Sequence, residues 1–174
     1  MYKMQGQDKN ICSKCKKASC IFPTVCKNMN TDHTALLELY KKTDALPYIK
    51  KNFIGSGVRY DLLLHKTGNT EIDRNNSIYT EELIRNHVSG RLKVAPEHTS
   101  GAVLSIMRKP SFELFKKFKQ IFEVINNREH LKQQIVPYFI SSHPGCTPND
   151  MAELAIETKK LNFQLDQIQD FTPT

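Results

Sequence analysis

The stretch Ile135-Val-Pro-Tyr-Phe-Ile-Ser-Ser-His-Pro-Gly145 decides the fold class. An apolar run of strand length passes directly into a polar, Gly/Pro-containing cluster, and a helix start follows at Thr147-Pro148. Three other stretches repeat the pattern: Lys51-Asn-Phe-Ile-Gly-Ser-Gly-Val-Arg-Tyr-Asp61, Arg91-Leu-Lys-Val-Ala-Pro-Glu-His-Thr99 and Phe163-Gln-Leu-Asp-Gln-Ile-Gln-Asp-Phe-Thr-Pro-Thr174. Helix-like segments follow the first three in chain order. Strands alternating with helices imply an α/β fold whose parallel strands are joined by right-handed crossovers. The carboxyl ends of parallel strands share one face, so the four polar clusters are expected to converge on one rim.

Working outward, strands are expected over 49–56, 91–95, 134–141 and 163–171. Thr31 and Asp32 can cap a helix with Ala35, Leu36, Leu39 and Tyr40 on one face, ending before Pro47. The span 57–76 reads as a polar loop, and a helix begins near Ser77 with Gly90 as its C-cap. A short helical piece over 102–107 precedes a longer helix capped by Ser111. Phe115, Phe118, Phe122 and Ile125 line one side of that helix at helical spacing, a stripe that reads as core. Thr147, Pro148 and Asp150 make a well-formed start for the last helix. Residues 1–30 show no helical or strand period and form a separate, irregular Cys-rich segment ahead of a domain over 31–174. Four βα units amount to a partial, half TIM-type barrel, which would leave an uncovered inner face and unpaired edges. Self-association through those edges, or truncation of a longer protein, is the expectation.

The composition bounds the function. The formal net charge is +7, with 39% hydrophobic and 25% charged residues, ordinary for a globular protein. No apolar run reaches the ~18 residues that span a bilayer, and the polar N-terminus has no signal-like apolar region, so a cytoplasmic protein with no membrane partner is expected. Five cysteines in such a compartment read as thiols or metal ligands. A dinucleotide fingerprint, a P-loop and a serine nucleophile elbow are all absent; Gly55-Ser-Gly57 fits none of them.

Two constellations remain. Cys12-x2-Cys15-x4-Cys20-x5-Cys26 can wrap a zinc ion or an iron–sulfur cluster, or remain as reduced thiols, with Lys14, Lys16, Lys17 and Lys27 nearby. At the rim, Gly55, Ser56, Glu97, His98, Ser141, Ser142 and His143 are candidate ligand contacts, joined by Asp166, Gln167, Gln169 and Asp170. Cys146 reads as incidental, and His33, His65 and His130 as surface residues.

The four strand stretches, together with Cys20-Ile-Phe-Pro-Thr-Val-Cys26 and Asn30-Thr-Asp-His33, resemble consecutive motifs of the YgiQ family (UPF0313) of radical SAM proteins. The likeness runs from about Cys15 to the last residue. It implies an S-adenosyl-L-methionine-dependent enzyme on a βα barrel, in which a [4Fe–4S] cluster on C-x3-C-x2-C reduces the cofactor to a 5′-deoxyadenosyl radical. No three cysteines here have that spacing. The resemblance therefore implies the C-terminal half of the core barrel, inactive alone, with the missing N-terminal half as its partner. It further implies that Glu97 contacts the cofactor's ribose or amino group. The Ser141 to Gly145 turn resembles the adenine-proximal Gly-Phe-Pro-Gly turn of the tRNA methylthiotransferases, with His143 in the phenylalanine position. Cys15, Cys20 and Cys26 match family cysteines; Cys12 aligns less securely. The alternative is a nucleic-acid or protein binding module, with RNA among its candidate partners, using the basic, metal-stabilised Cys-rich segment.

Overall fold

The computed structural model describes residues 4–163 and 168–172. The chain folds in the order α1 (Lys9–Ser13), α2 (Thr34–Asp44), α3 (Tyr60–Leu63), α4 (Thr70–Asn86), β1 (Arg91–Glu97), α5 (Gly101–Ile106), α6 (Phe112–Arg128), β2 (Gln134–Ser141), α7 (Pro148–Lys160) and β3 (Ile168–Asp170). The strands form an open parallel sheet in the order β1-β2-β3. Arg91 pairs with Gln134 at one end, and Ser141 pairs with Asp170 at the other.

Among the described residues three strands stand where four were expected. The span 49–56 does not join the sheet; its continuation makes one isolated parallel bridge, Val58 to Val94. Phe53, Gly55 and Ser56 are exposed, and Ile54 donates its N–H to His87 O instead of to a strand. A segment whose alternate side chains find no covering layer has little to hold it in register. The expected fourth strand is seen only as Ile168–Asp170; Asp166 and Gln167 lie outside the described residues.

The core lies on one side of the sheet. Leu92, Val94 and Phe139 point into it and meet Phe112, Phe115, Phe118, Phe122 and Ile125 of α6, so the aromatic stripe is core as its spacing predicts. The opposite face of β1 (Arg91, Lys93, Ala95) is exposed. Tyr60, Leu62 and Leu63 of α3 join the core from within the span read as loop.

Helix α4 starts seven residues before Ser77. Asn69 Oδ1 accepts from Glu71 N and Ile72 N at 3.0 and 3.3 Å, and Asp73 Oδ1 accepts from Thr67 N at 2.7 Å. Its C-cap is His87, while Gly90 adopts φ +109° immediately before β1. In α2 the buried apolar residue is Leu37, with Leu39 exposed. Thr147 and Asp150 form the complete capping box of α7. Among the described residues no helix is long and apolar enough to cross a membrane.

Candidate functional site

The β1 end is built by a bulge. Val94 pairs with Pro137 and Glu97 with Phe139, so three steps on β1 oppose two on β2. Pro96 and Pro137 both lie in this interval, and neither has an N–H to give the ladder. His98 N then donates to Pro96 O at 2.9 Å, closing a γ-turn around Glu97, whose φ is +69°. That positive-φ turn is the strained form, costing on the order of 1–3 kcal/mol. Ser142, just past β2, is also at positive φ, +59°.

The Glu97 side chain is nearly buried and its Oε1 accepts from Lys109 Nζ at 2.6 Å. Arg59, whose Nε donates to Asp61 Oδ1 at 2.9 Å, feels the Glu97 charge as well; its pKa is raised chiefly by the hydrogen bond to Asp61. His98 has no exposed surface. Its Nδ1 accepts from Ser100 N at 2.9 Å, which leaves the proton on Nε2, 3.4 Å from Cys146 Sγ. Burial lowers the His98 pKa, and the nearby His143 adds to this while Asp150 opposes it. Burial also raises the Cys146 pKa, with Asp150 adding. Both shifts favour the neutral pair, so this Cys–His contact is a hydrogen bond between uncharged groups rather than a thiolate–imidazolium pair.

The β2 and β3 ends meet directly. Ser141 Oγ and Ser142 Oγ donate to Asp170 Oδ1, and the His143 ring stands edge-on to Phe171 with centroids 4.8 Å apart. Gly145 N donates to His143 Nδ1 at 3.3 Å. Asp150 is held to a pKa of about 2, first by its bonds from Thr147 and then by Ser100.

The structure therefore brings Glu97, His98, Ser141 and His143 to one rim and adds Arg59, Lys109, Cys146 and Asp150. Gly55 and Ser56 are exposed and make no contact with these groups; Ser56 borders a cavity of about 280 Å³ that runs from Met4, His33, Tyr40 and Tyr79 to Arg59. His33 is buried, not on the surface; Asn76 Oδ1 accepts from its N and Nδ1 at 3.0 and 2.9 Å, and its ring stacks on Tyr79. The Arg-x-Asp pair was visible in the stretch ending at Asp61, whereas nothing in the sequence joined Lys109 to Glu97.

Away from the rim, one trio of cation-ligating atoms lies within 4.8 Å among the described residues: Asp44, Glu82 and His87. Cys12, Cys15, Cys20 and Cys26 are all free thiols in the N-terminal segment, the first three exposed.

Over all 174 residues the chain is 66% identical to a UPF0313 protein of Bacteroides thetaiotaomicron, 62% to one of Porphyromonas gingivalis and 45% to one of Chromobacterium violaceum. The whole chain matches a segment of UPF0313 proteins. It spans only 28%, 27% and 22% of those relatives. No family model matches the segment, and no solved structure matches it. Within the matched segment the rim residues come from four separate stretches, while the cysteines occupy a stretch of their own.

Proposed function

We propose that this UPF0313 segment works within a larger S-adenosylmethionine-dependent iron–sulfur enzyme, supplying cofactor and substrate contacts from its strand ends. One observation carries the reading: polar groups gather at successive strand ends, Glu97 with Lys109, His98 with Cys146, and Ser141 with Asp170. The donor set suits an adenosine moiety. Glu97 and Asp170 accept from hydroxyl and amino groups, the serines donate or accept, and the His143 and Phe171 rings offer flat surface to a purine. Bound there, the cofactor supplies the 5′-deoxyadenosyl group from which radical chemistry begins. Lys109 holds the Glu97 carboxylate in place, the bulge fixes its direction, and neutral His98 keeps an N–H aimed at Cys146.

The segment contains no C-x3-C-x2-C motif. After anaerobic reconstitution with iron and sulfide, it is expected to release no 5′-deoxyadenosine from S-adenosylmethionine; sustained release would overturn the reading. In an intact UPF0313 protein, Glu97→Gln is expected to weaken S-adenosylmethionine binding about tenfold by calorimetry, the worth of one charge-assisted hydrogen bond. Unchanged affinity removes Glu97 from the site.

A second reading has its own observation. Lys9, Lys14, Lys16, Lys17 and Lys27 are all exposed in the cysteine segment, a surface suited to RNA phosphates. RNA affinity that does not fall steeply with salt would rule it out.

A further inference from the structure

No side chain between residues 4 and 30 is buried, yet the segment is closely tied by its backbone. Gly6 and Met29 form an antiparallel bridge, Gln7 N donates to Asn28 O at 2.7 Å, and Asn30 N donates to Gln5 O at 2.9 Å. Cys26 N donates to Cys20 O at 2.7 Å, and Cys15 N to Cys12 O at 3.1 Å, so the turns are built around the cysteines. A segment this short with no apolar core needs another source of folding free energy, and metal–thiolate bonds supply it in small modules.

Three of the four thiols line a common space. Cys12, Cys20 and Cys26 line one hollow of about 330 Å³, together with Gly6, Asn28 and Met29. A Cβ on residue 6 would lie 2.1 Å from Cys12 Sγ, so the sulfur occupies room that only glycine leaves. Asn28 Nδ2 donates to Cys12 Sγ at 3.2 Å while also donating to Asp8 O at 2.9 Å, and Lys17 N donates to Cys15 Sγ at 3.4 Å. N–H groups aimed at sulfur stabilise thiolates and tune the metals they hold.

The spacing of the sulfurs discriminates between metals. One tetrahedral zinc with Zn–S bonds of ~2.3 Å gathers its sulfurs about 3.8 Å apart. No three of these four sulfurs lie within 4.8 Å of one another. They are not gathered as a single tetrahedral ion would gather them. We infer that Cys12, Cys20 and Cys26, which line this hollow, and Cys15 from the turn adjoining Cys12 ligate an iron–sulfur cluster seated there. Each thiol loses its proton on ligation, and the exposed Lys14, Lys16, Lys17 and Lys27 offset the negative charge of the four thiolates. The inference is independent of the rim: the 174-residue chain has no C-x3-C-x2-C, so iron held on it reports these cysteines whether or not S-adenosylmethionine binds.

The test is anaerobic reconstitution of the 174-residue chain with ferrous iron and sulfide. The expected product holds iron and acid-labile sulfide in equal amounts, about two or four of each per chain, with broad visible absorption that bleaches on reduction. Cys15→Ser, Cys20→Ser and Cys26→Ser should each lose that absorption while circular dichroism of the helices is kept, since the cysteines lie outside the apolar core; Cys146→Ser should load fully. Asn28→Ala, which removes the amide aimed at Cys12 together with its two bonds to Asp8, should shed iron to a chelator about tenfold faster. Stoichiometric zinc without sulfide, iron bound without sulfide, or loading indifferent to Cys20→Ser overturns the inference.

Discussion

Removing the Asn76 side chain tests how the cysteine segment is fastened to the core. Asn76 lies in the middle of α4 and is 1% exposed. Its Oδ1 accepts from both the backbone N and the ring Nδ1 of His33, the residue that caps α2. Asn76→Ala strands two donors that have little access to water, each costing about 1–3 kcal/mol. One term opposes this: Asn76 Nδ2 is itself buried without a partner, and truncation removes that penalty. The net expectation is a loss of about 1–3 kcal/mol, which for a chain of this size lowers Tm by about 2–12 °C. Urea unfolding followed by circular dichroism supplies the free energy, and a double-mutant cycle with His33→Ala isolates the pair. The cycle is the sharper measurement: the backbone N–H of residue 33 is stranded wherever Asn76 is truncated, in the single and the double variant alike, so that cost cancels and the coupling reports the ring bond. A coupling within error of zero, or an Asn76→Ala variant as stable as the parent, refutes the claim that this amide organises the junction.

Three further outcomes follow from the geometry. Burial depresses the pKa values of His33 and His98, although Asn76 and Asp32 oppose this at His33 and Asp150 opposes it at His98. Below the unfolded value of about 6.5 the unfolded chain therefore binds more protons, and the urea midpoint should fall as pH drops from about 7 to 5; a rise over that window contradicts the burial of both rings. Thr147→Ala removes the hydroxyl that accepts from Asp150 N at 3.2 Å and should cost about 1 kcal/mol of stability, measured by thermal unfolding. Cys146, its pKa raised by burial, should react with iodoacetamide with an inflection above that of an ordinary thiol; an inflection below it means the pair with His98 is ionic after all.

How much of this was legible in the sequence depends on how local the cause is. The α6 stripe, the α7 capping box and the strands at 91–97 and 134–141 each declare themselves within about eight residues. The failures have distant causes. Asn75 and Asn76 read as loop residues, but the Asn69 cap starts α4 ahead of them, and Asn76 is buried there against His33, 43 positions away. His33 read as a surface residue for the same reason. The span 49–56 had strand composition, yet a strand also needs a partner along its length, and only Val58 finds one. At the rim, the clusters after β1 and β2 were readable as strand ends. The Lys109–Glu97 and Cys146–His98 contacts were not, since they depend on where α5 and the loop before α7 come to rest.

The two prolines tie sequence to site more firmly than any motif. Proline in a central strand normally argues against the strand, because it removes a ladder bond. Here Pro137 sits in the central strand opposite the bulged interval of β1, where Pro96 likewise has no N–H, so the two gaps in the ladder coincide. The consequence is directional: the extra residue turns β1 so that Glu97 ends it at positive φ, with its carboxylate against Lys109. Strain of this kind persists only where the surroundings over-determine it. The surroundings here are the ladder on one side of the bulge, the γ-turn bond from His98, and the Lys109 ion pair on the other. A carboxylate held this way loses little freedom when it meets a ligand, and that is what separates Glu97 from the exposed acids of α6 and α7.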